Sequence, residues 1–326
     1  MTSSTGPVPG VSVPPASGSA AAPDLDAEPI WQPMADEGAA SALSPRRLAW
    51  RRFRRNRLAV AALGLLIVFA ALAILAPLVA PYDPIKPDVK AIGKPPSLAH
   101  PFGTDESGRA VLSRLLHGAR VSLSVGFVAV TIYITIGTLL GALAGYRRGM
   151  VDGVIGRSID LVQSFPSLII ILAIVPLLGR SIFNIMLVIG LLGWPPVARL
   201  VRGEFLSLRE REHTLAARGI GARDRRIIGK HILPNVAGPL IVLASFGMAE
   251  AIILEAGLSV LGLGIQPPAP SWGVDLSAAI DIGILTRKPW LWIFPGAAIA
   301  LSVLAINFVG DGLRDALDPR SSGGRR

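Results

Sequence analysis

The chain of 326 residues is 51% hydrophobic and only 17% charged, which excludes an ordinary soluble domain and favours a protein that crosses a membrane several times. It has no cysteine, which excludes a disulfide framework, a thiolate metal site and a cysteine nucleophile. The formal net charge of +10 lies in short basic blocks beside apolar segments, a pattern typical of membrane topology, so we expect no nucleic-acid partner.

The N-terminal region begins with residues 1–44, which are rich in Ala, Pro, Ser and Gly and lack apolar periodicity. We predict that they form a disordered tail. Residues 46–57 contain seven arginines and no acidic residue, and residues 58–80 are apolar and long enough to span a bilayer. Because cations that flank a first span favour retention in the cytoplasm, the N-terminus is predicted to be cytoplasmic.

Five further apolar runs are long enough to cross the bilayer. They cover residues 121–144, 159–178, 182–200, 236–264 and 290–310. Gly137, Gly141 and Gly145 recur at four-residue spacing in the second span, which favours close packing against another helix. Prolines within or near the later spans predict kinks or broken helix ends, and they are Pro166, Pro195, Pro196 and Pro239.

The charges between the spans test this order. Segments 146–157 and 201–230 carry an excess of basic residues, whereas segments 81–116 and 265–288 are nearly balanced. By the positive-inside rule, the first two segments are cytoplasmic and the last two lie outside. The sequence therefore predicts an all-α polytopic membrane protein with six transmembrane helices and both termini in the cytoplasm.

Motifs for chemistry are absent from the sequence. It contains no GxxxxGK[ST] phosphate-binding loop, no HExxH and no GxSxG, and its four histidines are scattered. We therefore expect no catalytic, cofactor-binding or metal site in this chain. The simplest interpretation is a subunit of a transporter or channel.

The segment between the fourth and fifth spans holds the most informative pattern. Residues 209–218 favour a helix, and Gly219 and Gly221 permit a tight turn or a helix stop. A second short helix is predicted to begin with Asp224 as its N-cap, and Pro234 is predicted to end it before the fifth span. The first helix is expected to project into the cytoplasm and to offer a face of small alanines to a partner.

The same segment resembles the EAA loop of binding-protein-dependent ABC importer permeases. The matching residues are Ala216-Ala217-Arg218-x-x-Gly221 followed by His231-Ile232-Leu233-Pro234, and the family's leading Glu is Leu215 here. In that family the loop helix docks into a groove on the ATPase subunit and transmits its closure to the pore. The resemblance implies a coupling helix within residues 201–234, with ATPase contact through Ala216, Ala217, Arg218, Gly219 and Gly221.

Two further stretches resemble the dipeptide and oligopeptide permeases of the DppC/OppC group. They are residues 100–123, before the second span, and residues 255–264 with 270–273, in and after the fifth. The resemblance implies a type I importer permease domain over residues 45–319 and a short tail at 320–326. It also implies the plasma (inner) membrane of a prokaryote as the location.

Permeases of that family work by alternating access. A substrate-binding protein delivers the cargo outside, and two separate ATPase subunits bind ATP and Mg, so this chain itself holds no cofactor. The resemblance further implies a second homologous permease chain, surrounding membrane lipid, and di- or oligopeptides as cargo. Nickel and glutathione stay open as cargo, because the motifs do not separate these relatives.

Five polar or small residues before the second span have two interpretations. They are Gly103, Asp105, Gly108, Arg109 and Arg114. Under the predicted topology they lie outside, where they either contact the substrate-binding protein or the partner permease, or form a structured turn and helix cap.

Glu250 and Glu255 are carboxylates within the fifth span, where a charge is costly and usually faces the bundle interior or a wet cavity. They point about 140° apart on a helix, which argues against one shared site, and each either lines the pore or takes part in packing. An autonomous channel or ion-coupled transporter would use them as coupling carboxylates, but it would need no docking helix. Polar residues in the spans argue against a third alternative, a purely structural scaffold.

Overall fold

The computed structural model describes residues 45–317. The tails predicted at 1–44 and 320–326 lie outside the described residues. Every regular element among residues 45–317 is helical, which confirms the predicted all-α class.

The helices follow one another in a simple order along the chain. They are α1 (Pro45–Arg55), α2 (Arg57–Val79), α3 (Val111–Arg147), α4 (Gly149–Gln163), α5 (Ser167–Leu178), α6 (Ile182–Leu192), α7 (Trp194–Leu208), α8 (Glu212–Gly219), α9 (Asp224–Ile227), α10 (Leu233–Val260), α11 (Trp272–Ser277), α12 (Ile282–Arg287) and α13 (Trp290–Leu317). A 3₁₀ turn at Val89–Ala91 and a π-helical turn at Ile228–Ile232 complete the described elements.

Five helical stretches are long and apolar enough to cross a membrane. They are α2, α3, α6 with α7, α9 with α10, and α13. Helices α4 and α5 reach this length only together, and they are bent by 82° at the break between them, so the number is six if the pair is one span. The predicted span at 159–178 is therefore not one straight helix. Because Pro166 has no N–H to donate, it favours the break that the sequence predicted there.

The fourth span reaches further than predicted. A break at Gly193 separates α6 from α7, and α7 continues to Leu208, so the first part of the predicted loop at 201–230 is helical. Pro195 and Pro196 are accommodated because they lie in the first turn of α7, where backbone N–H groups have no partner within the helix.

Pro234 does not end the second loop helix, contrary to prediction. The helical stretch Asp224–Val260 is continuous and passes through both Pro234 and Pro239. Just before Pro234, the Leu233 N–H donates to the Ile228 carbonyl five residues back, in the wider π-helical pattern. This wider turn accommodates a proline ring that would otherwise clash with the preceding turn of an α-helix.

Helix α3 is the centre of the bundle, where it packs against α2, α6, α7 and α10. An added Cβ at Gly137 would lie 2.5 Å from Val197 Cβ, and one at Gly141 would lie 2.5 Å from the Ala198 carbonyl oxygen. Gly145 faces the Arg202 carbonyl oxygen in the same way, at 2.7 Å. The predicted close helix contact is therefore confirmed, and its partner is α7.

Gly141→Ala is expected to lower the free energy of unfolding by about 2 kcal/mol, because the added methyl group has no room between α3 and α7. The matched control is Gly153→Ala in α4, where an added Cβ meets nothing within 4 Å. Thermal unfolding of both variants in one detergent measures the difference. Equal stability of the two variants would contradict the close α3–α7 contact.

Candidate functional site

Residues 209–232, which we call the loop segment, contain α8 and α9. α8 ends in a Schellman motif: the Ala222 N–H donates to the Ala217 carbonyl at 3.0 Å, and the Gly221 N–H donates to the Arg218 carbonyl at 2.9 Å. Gly221 has a φ of +82°, which glycine adopts without strain. The helix stop predicted at these glycines is confirmed, and it gives the loop segment a fixed shape.

One side of α8 is buried and the other is open. Thr214 is fully buried, with its hydroxyl donating to the Leu208 carbonyl at 2.9 Å, and Ala217 is only 8% exposed. At about 100° per residue, Leu215, Ala216 and Gly219 fall on the opposite side, and Ile220 directly follows the helix. Leu215 is 51% and Ile220 88% exposed, so the open face is more apolar than two alanines alone predict.

The five residues predicted to contact an ATPase therefore have different positions. Ala216, Arg218, Gly219 and Gly221 are exposed, whereas Ala217 packs inside this chain. Ala217 therefore packs beneath the open face. Contact of these five residues with a partner stays a prediction.

Tyr146, at the end of α3, holds the loop segment in place. Its hydroxyl donates to the Asp224 carboxylate and accepts from Arg218 Nη2 at 3.2 Å. Its carbonyl accepts from Arg209 Nη1 at 2.6 Å. The guanidinium groups of Arg209 and Arg218 also lie 5.8 and 5.9 Å from the centre of its ring. The loop segment is therefore attached to the central helix at three positions.

Glu255 forms a closed polar network between α3, α10 and α11. Its carboxylate accepts hydrogen bonds from the hydroxyls of Ser122 at 3.1 Å, Ser259 at 3.1 Å and Ser271 at 2.9 Å. Ser122 also accepts from the Trp272 backbone N–H at 3.2 Å, and Glu255 itself is fully buried. Of the two roles considered for Glu255, the structure supports bonding to neighbouring elements.

Glu250 has a different environment on the same helix. It is exposed and lines a cavity of about 490 Å³ between α3, α5, α7 and α10. The two carboxylates therefore do not form one site, as their spacing predicted.

The residues before α3 form a folded turn. The Asp105 carboxylate accepts from the backbone N–H groups of Ser107 and Arg109, both at 2.8 Å, and from Arg109 Nε at 2.7 Å. Gly103 and Gly108 have φ values of +75° and +79°. An added Cβ at Gly103 would lie 2.7 Å from the Lys94 carbonyl oxygen. The structured-turn interpretation is therefore supported, and contact with a partner protein stays a prediction.

Arg114 connects this turn to the segment after α10. It is 3% exposed, and its Nε donates to Asp275 Oδ1 at 2.7 Å. Its Nη1 donates to the carbonyls of Pro84 at 3.0 Å and Pro268 at 3.1 Å. Burial raises the pKa of Asp275 to about 6, although the adjacent Arg114 guanidinium acts in the opposite direction. At neutral pH the carboxyl is therefore mostly ionised, and because its pKa stays above the usual value, desolvation outweighs the attraction of the guanidinium.

Residues 45–317 contain no group of three or more His, Asp or Glu side chains arranged to hold an ion.

Comparison with known families decides what this arrangement is. A family described as binding-protein-dependent transport system inner membrane component matches residues 137–323. A second, the N-terminal TM domain of oligopeptide transport permease C, matches residues 44–96. The chain belongs to the family of inner membrane components of binding-protein-dependent transport systems.

Relatives of this permease place it in one subfamily. It is 42% identical to the dipeptide transport system permease protein DppC of Alkalihalophilus pseudofirmus, over 92% of this chain and 97% of the relative. It is 37% identical to the oligopeptide transport system permease protein OppC of Bacillus subtilis, over 88% and 95%. It is 41% identical to the glutathione transport system permease protein GsiD of Pectobacterium atrosepticum, over 86% and 93%. The protein is an ABC importer permease of the dipeptide, oligopeptide and glutathione subfamily.

A solved structure supports the fold of the permease. A chain of the inward-facing MetNI methionine ABC transporter matches with a TM-score of 0.50 and 19% identity, covering 63% of this chain and 96% of that one. The predicted type I importer permease fold is thus confirmed.

Several residues of the permease were missed by sequence reasoning. The position of Tyr146 could have been noticed in the sequence, because it directly precedes two arginines at the cytoplasmic end of a predicted span. Ser259 lies one helical turn after Glu255 and was also readable. Ser271 and Asp275 carried no such signal, because only the fold brings them to their partners.

Arg114→Met is expected to lower the free energy of unfolding by about 3 kcal/mol, because it leaves the Asp275 carboxylate buried without its cation. The double variant Arg114→Met with Asp275→Leu should lose less, since no uncompensated charge stays behind. Chemical denaturation in a common detergent compares the two. A double variant that is less stable than the single one would contradict this account.

Glu255→Met is expected to destabilise the permease by about 3 kcal/mol, because three buried serine hydroxyls lose their acceptor. Glu250→Met is the matched control on the same helix, because no group among residues 45–317 loses a hydrogen-bond partner when the Glu250 carboxylate is removed. Melting temperatures of both variants test the difference. Similar losses in both would show that the serine network does not stabilise the fold.

Proposed function

We propose that this permease forms the translocation pathway of an ATP-driven importer of di- and oligopeptides. It works with a second homologous permease chain, two ATPase subunits that bind ATP and Mg, and a substrate-binding protein outside. It lies in the plasma (inner) membrane with both termini in the cytoplasm. The relatives named as dipeptide and oligopeptide permeases support the choice of cargo.

The shape of the loop segment carries the coupling part of this proposal. Its open face presents Leu215 and Ile220, large apolar side chains that a protein partner would remove from water. The opposite side of α8 packs against the permease through Thr214 and Ala217. A helix that packs against the permease on one side and exposes apolar side chains on the other fits a docking site for an ATPase.

Few contacts separate the open face of α8 from the helices that line the cavity. Arg218 at the end of α8 bonds Tyr146, and Tyr146 belongs to α3, which packs along α7 and α10. A partner that moves the loop segment therefore acts directly on the helices that enclose the 490 Å³ cavity. An autonomous ion-coupled transporter has less support, because only one of its two candidate carboxylates, Glu250, faces the cavity, whereas Glu255 is enclosed by serines.

The cargo is best tested against the two alternatives in the subfamily. A glutathione permease is among the relatives, and glutathione is itself a small peptide. Nickel has less support, because the described residues offer no cluster of metal ligands. Uptake of labelled dipeptide, glutathione and nickel by cells that express the whole complex separates the three.

Leu215→Arg and Ile220→Arg are expected to reduce co-purification of the ATPase subunits and peptide uptake at least tenfold, because each places a charge in an apolar docking surface. The control is Leu98→Arg, a fully exposed apolar residue in the segment between α2 and α3. Pull-down and uptake are measured on the same membranes.

Normal ATPase association in both loop variants would overturn the docking assignment. Peptide uptake that persists without the ATPase subunits would favour the autonomous transporter instead.

A further inference from the structure

The cavity lies where the two interrupted spans meet α3 and α10. Phe165 and Ser167 line it at the break between α4 and α5, and Gly193 and Pro195 line it at the break between α6 and α7. Interrupted helices within a membrane are found where backbone lines a cavity and not where it faces lipid. Its volume of about 490 Å³ is within the usual range for small-ligand sites.

Glu250 is the single charged residue among the residues that line this cavity. The other polar groups are the Tyr133 hydroxyl, the Gln163 amide and the Ser167 hydroxyl, and the walls are otherwise apolar or glycine. Within residues 45–317, no cation lies within ion-pair distance of Glu250 and no hydrogen-bond donor reaches its carboxylate.

The depth of Glu250 makes its isolation informative. It lies roughly 15 Å from the end of α10 at Val260, at a rise of about 1.5 Å per residue, and therefore well inside the spanning stretch. A carboxylate at such depth is costly unless a cation or water reaches it. On the same helix, the Glu255 carboxylate is stabilised by three serine hydroxyl donors. The Glu250 carboxylate has no such donor among residues 45–317.

We propose that Glu250 binds the cationic group of the cargo, the α-ammonium of a peptide, while the cargo occupies this cavity. The inference rests on the proposed peptide cargo. The ammonium donates hydrogen bonds to the carboxylate, and Ser167, Gln163 and Tyr133 offer hydrogen-bonding groups to the peptide backbone. The apolar walls accept side chains without selecting among them. The cavity therefore recognises a peptide by the positive charge at its N-terminus.

The test compares permease variants within the complete complex, reconstituted in proteoliposomes with its ATPases and substrate-binding protein. Glu250→Gln keeps the shape of the side chain and removes its charge, and Glu250→Asp keeps the charge. Asp311→Asn is the control, an exposed carboxylate in α13 that does not line the cavity. Uptake of radiolabelled Ala-Ala is measured beside uptake of N-acetyl-Ala-Ala, which has no ammonium group.

Glu250→Gln is expected to reduce uptake of Ala-Ala about tenfold relative to Asp311→Asn, since one charge-assisted hydrogen bond is lost. Uptake of the acetylated peptide should change less than twofold, and Glu250→Asp should restore part of the Ala-Ala uptake. Because only the permease differs among the variants, any selection by the substrate-binding protein is common to all of them.

The outcomes separate this inference from the proposed function. Wild-type complex that imports Ala-Ala, with equal uptake by Glu250→Gln and Asp311→Asn, would overturn the ammonium site and leave the peptide importer standing. Equal losses for both peptides in Glu250→Gln would point to a structural role and also overturn it. Absence of Ala-Ala uptake in the wild type would contradict the peptide cargo and the ammonium site together.

Discussion

The close contact between α3 and α7 is the constraint on which the rest of the structure depends. Gly137 and Gly141 let the backbone of α3 approach Val197 and Ala198 to a distance that an added Cβ would prevent. In a membrane, apolar burial gives little driving force between helices, so contact at this distance supplies dispersion energy in its place. With α7 fixed against α3, the break at Gly193 and the loop segment after α7 acquire definite positions.

Helix α3 makes a different polar contact near its start, in its middle and at its end. Arg114 near its start pairs with Asp275, Ser122 donates to Glu255, and Tyr146 at its end holds the loop segment. Each partner lies far away in the sequence, so α3 collects contacts from most of the chain. Displacement at one end of such a helix is transmitted to the other, because a packed helix moves as one body more easily than it bends.

Much of the architecture could be predicted from the sequence, because hydrophobic length and loop charge report directly on membrane spans. The glycine row in α3 and the helix stop at Gly221 were predictable for a similar reason, since glycine spacing and positive φ are local properties. Pro234 was misread because the π-helical turn before it depends on how α9 and α10 join. The exposure of Leu215 and the burial of Ala217 were also out of reach, because a helix face is assigned only by what packs against it.

The two carboxylates of α10 show how tertiary structure decides the role of identical side chains. Both cost free energy on entering the membrane, and the local sequence distinguishes them only by Ser259, one helical turn after Glu255. The fold surrounds Glu255 with hydroxyls from three elements, so its charge is used to hold α3, α10 and α11 together. The fold leaves Glu250 facing open space between two interrupted spans, where its charge stays available. An ionised carboxylate without a partner among residues 45–317 is stable at that depth only with water or a cationic ligand beside it, and the proposed peptide pathway would supply both.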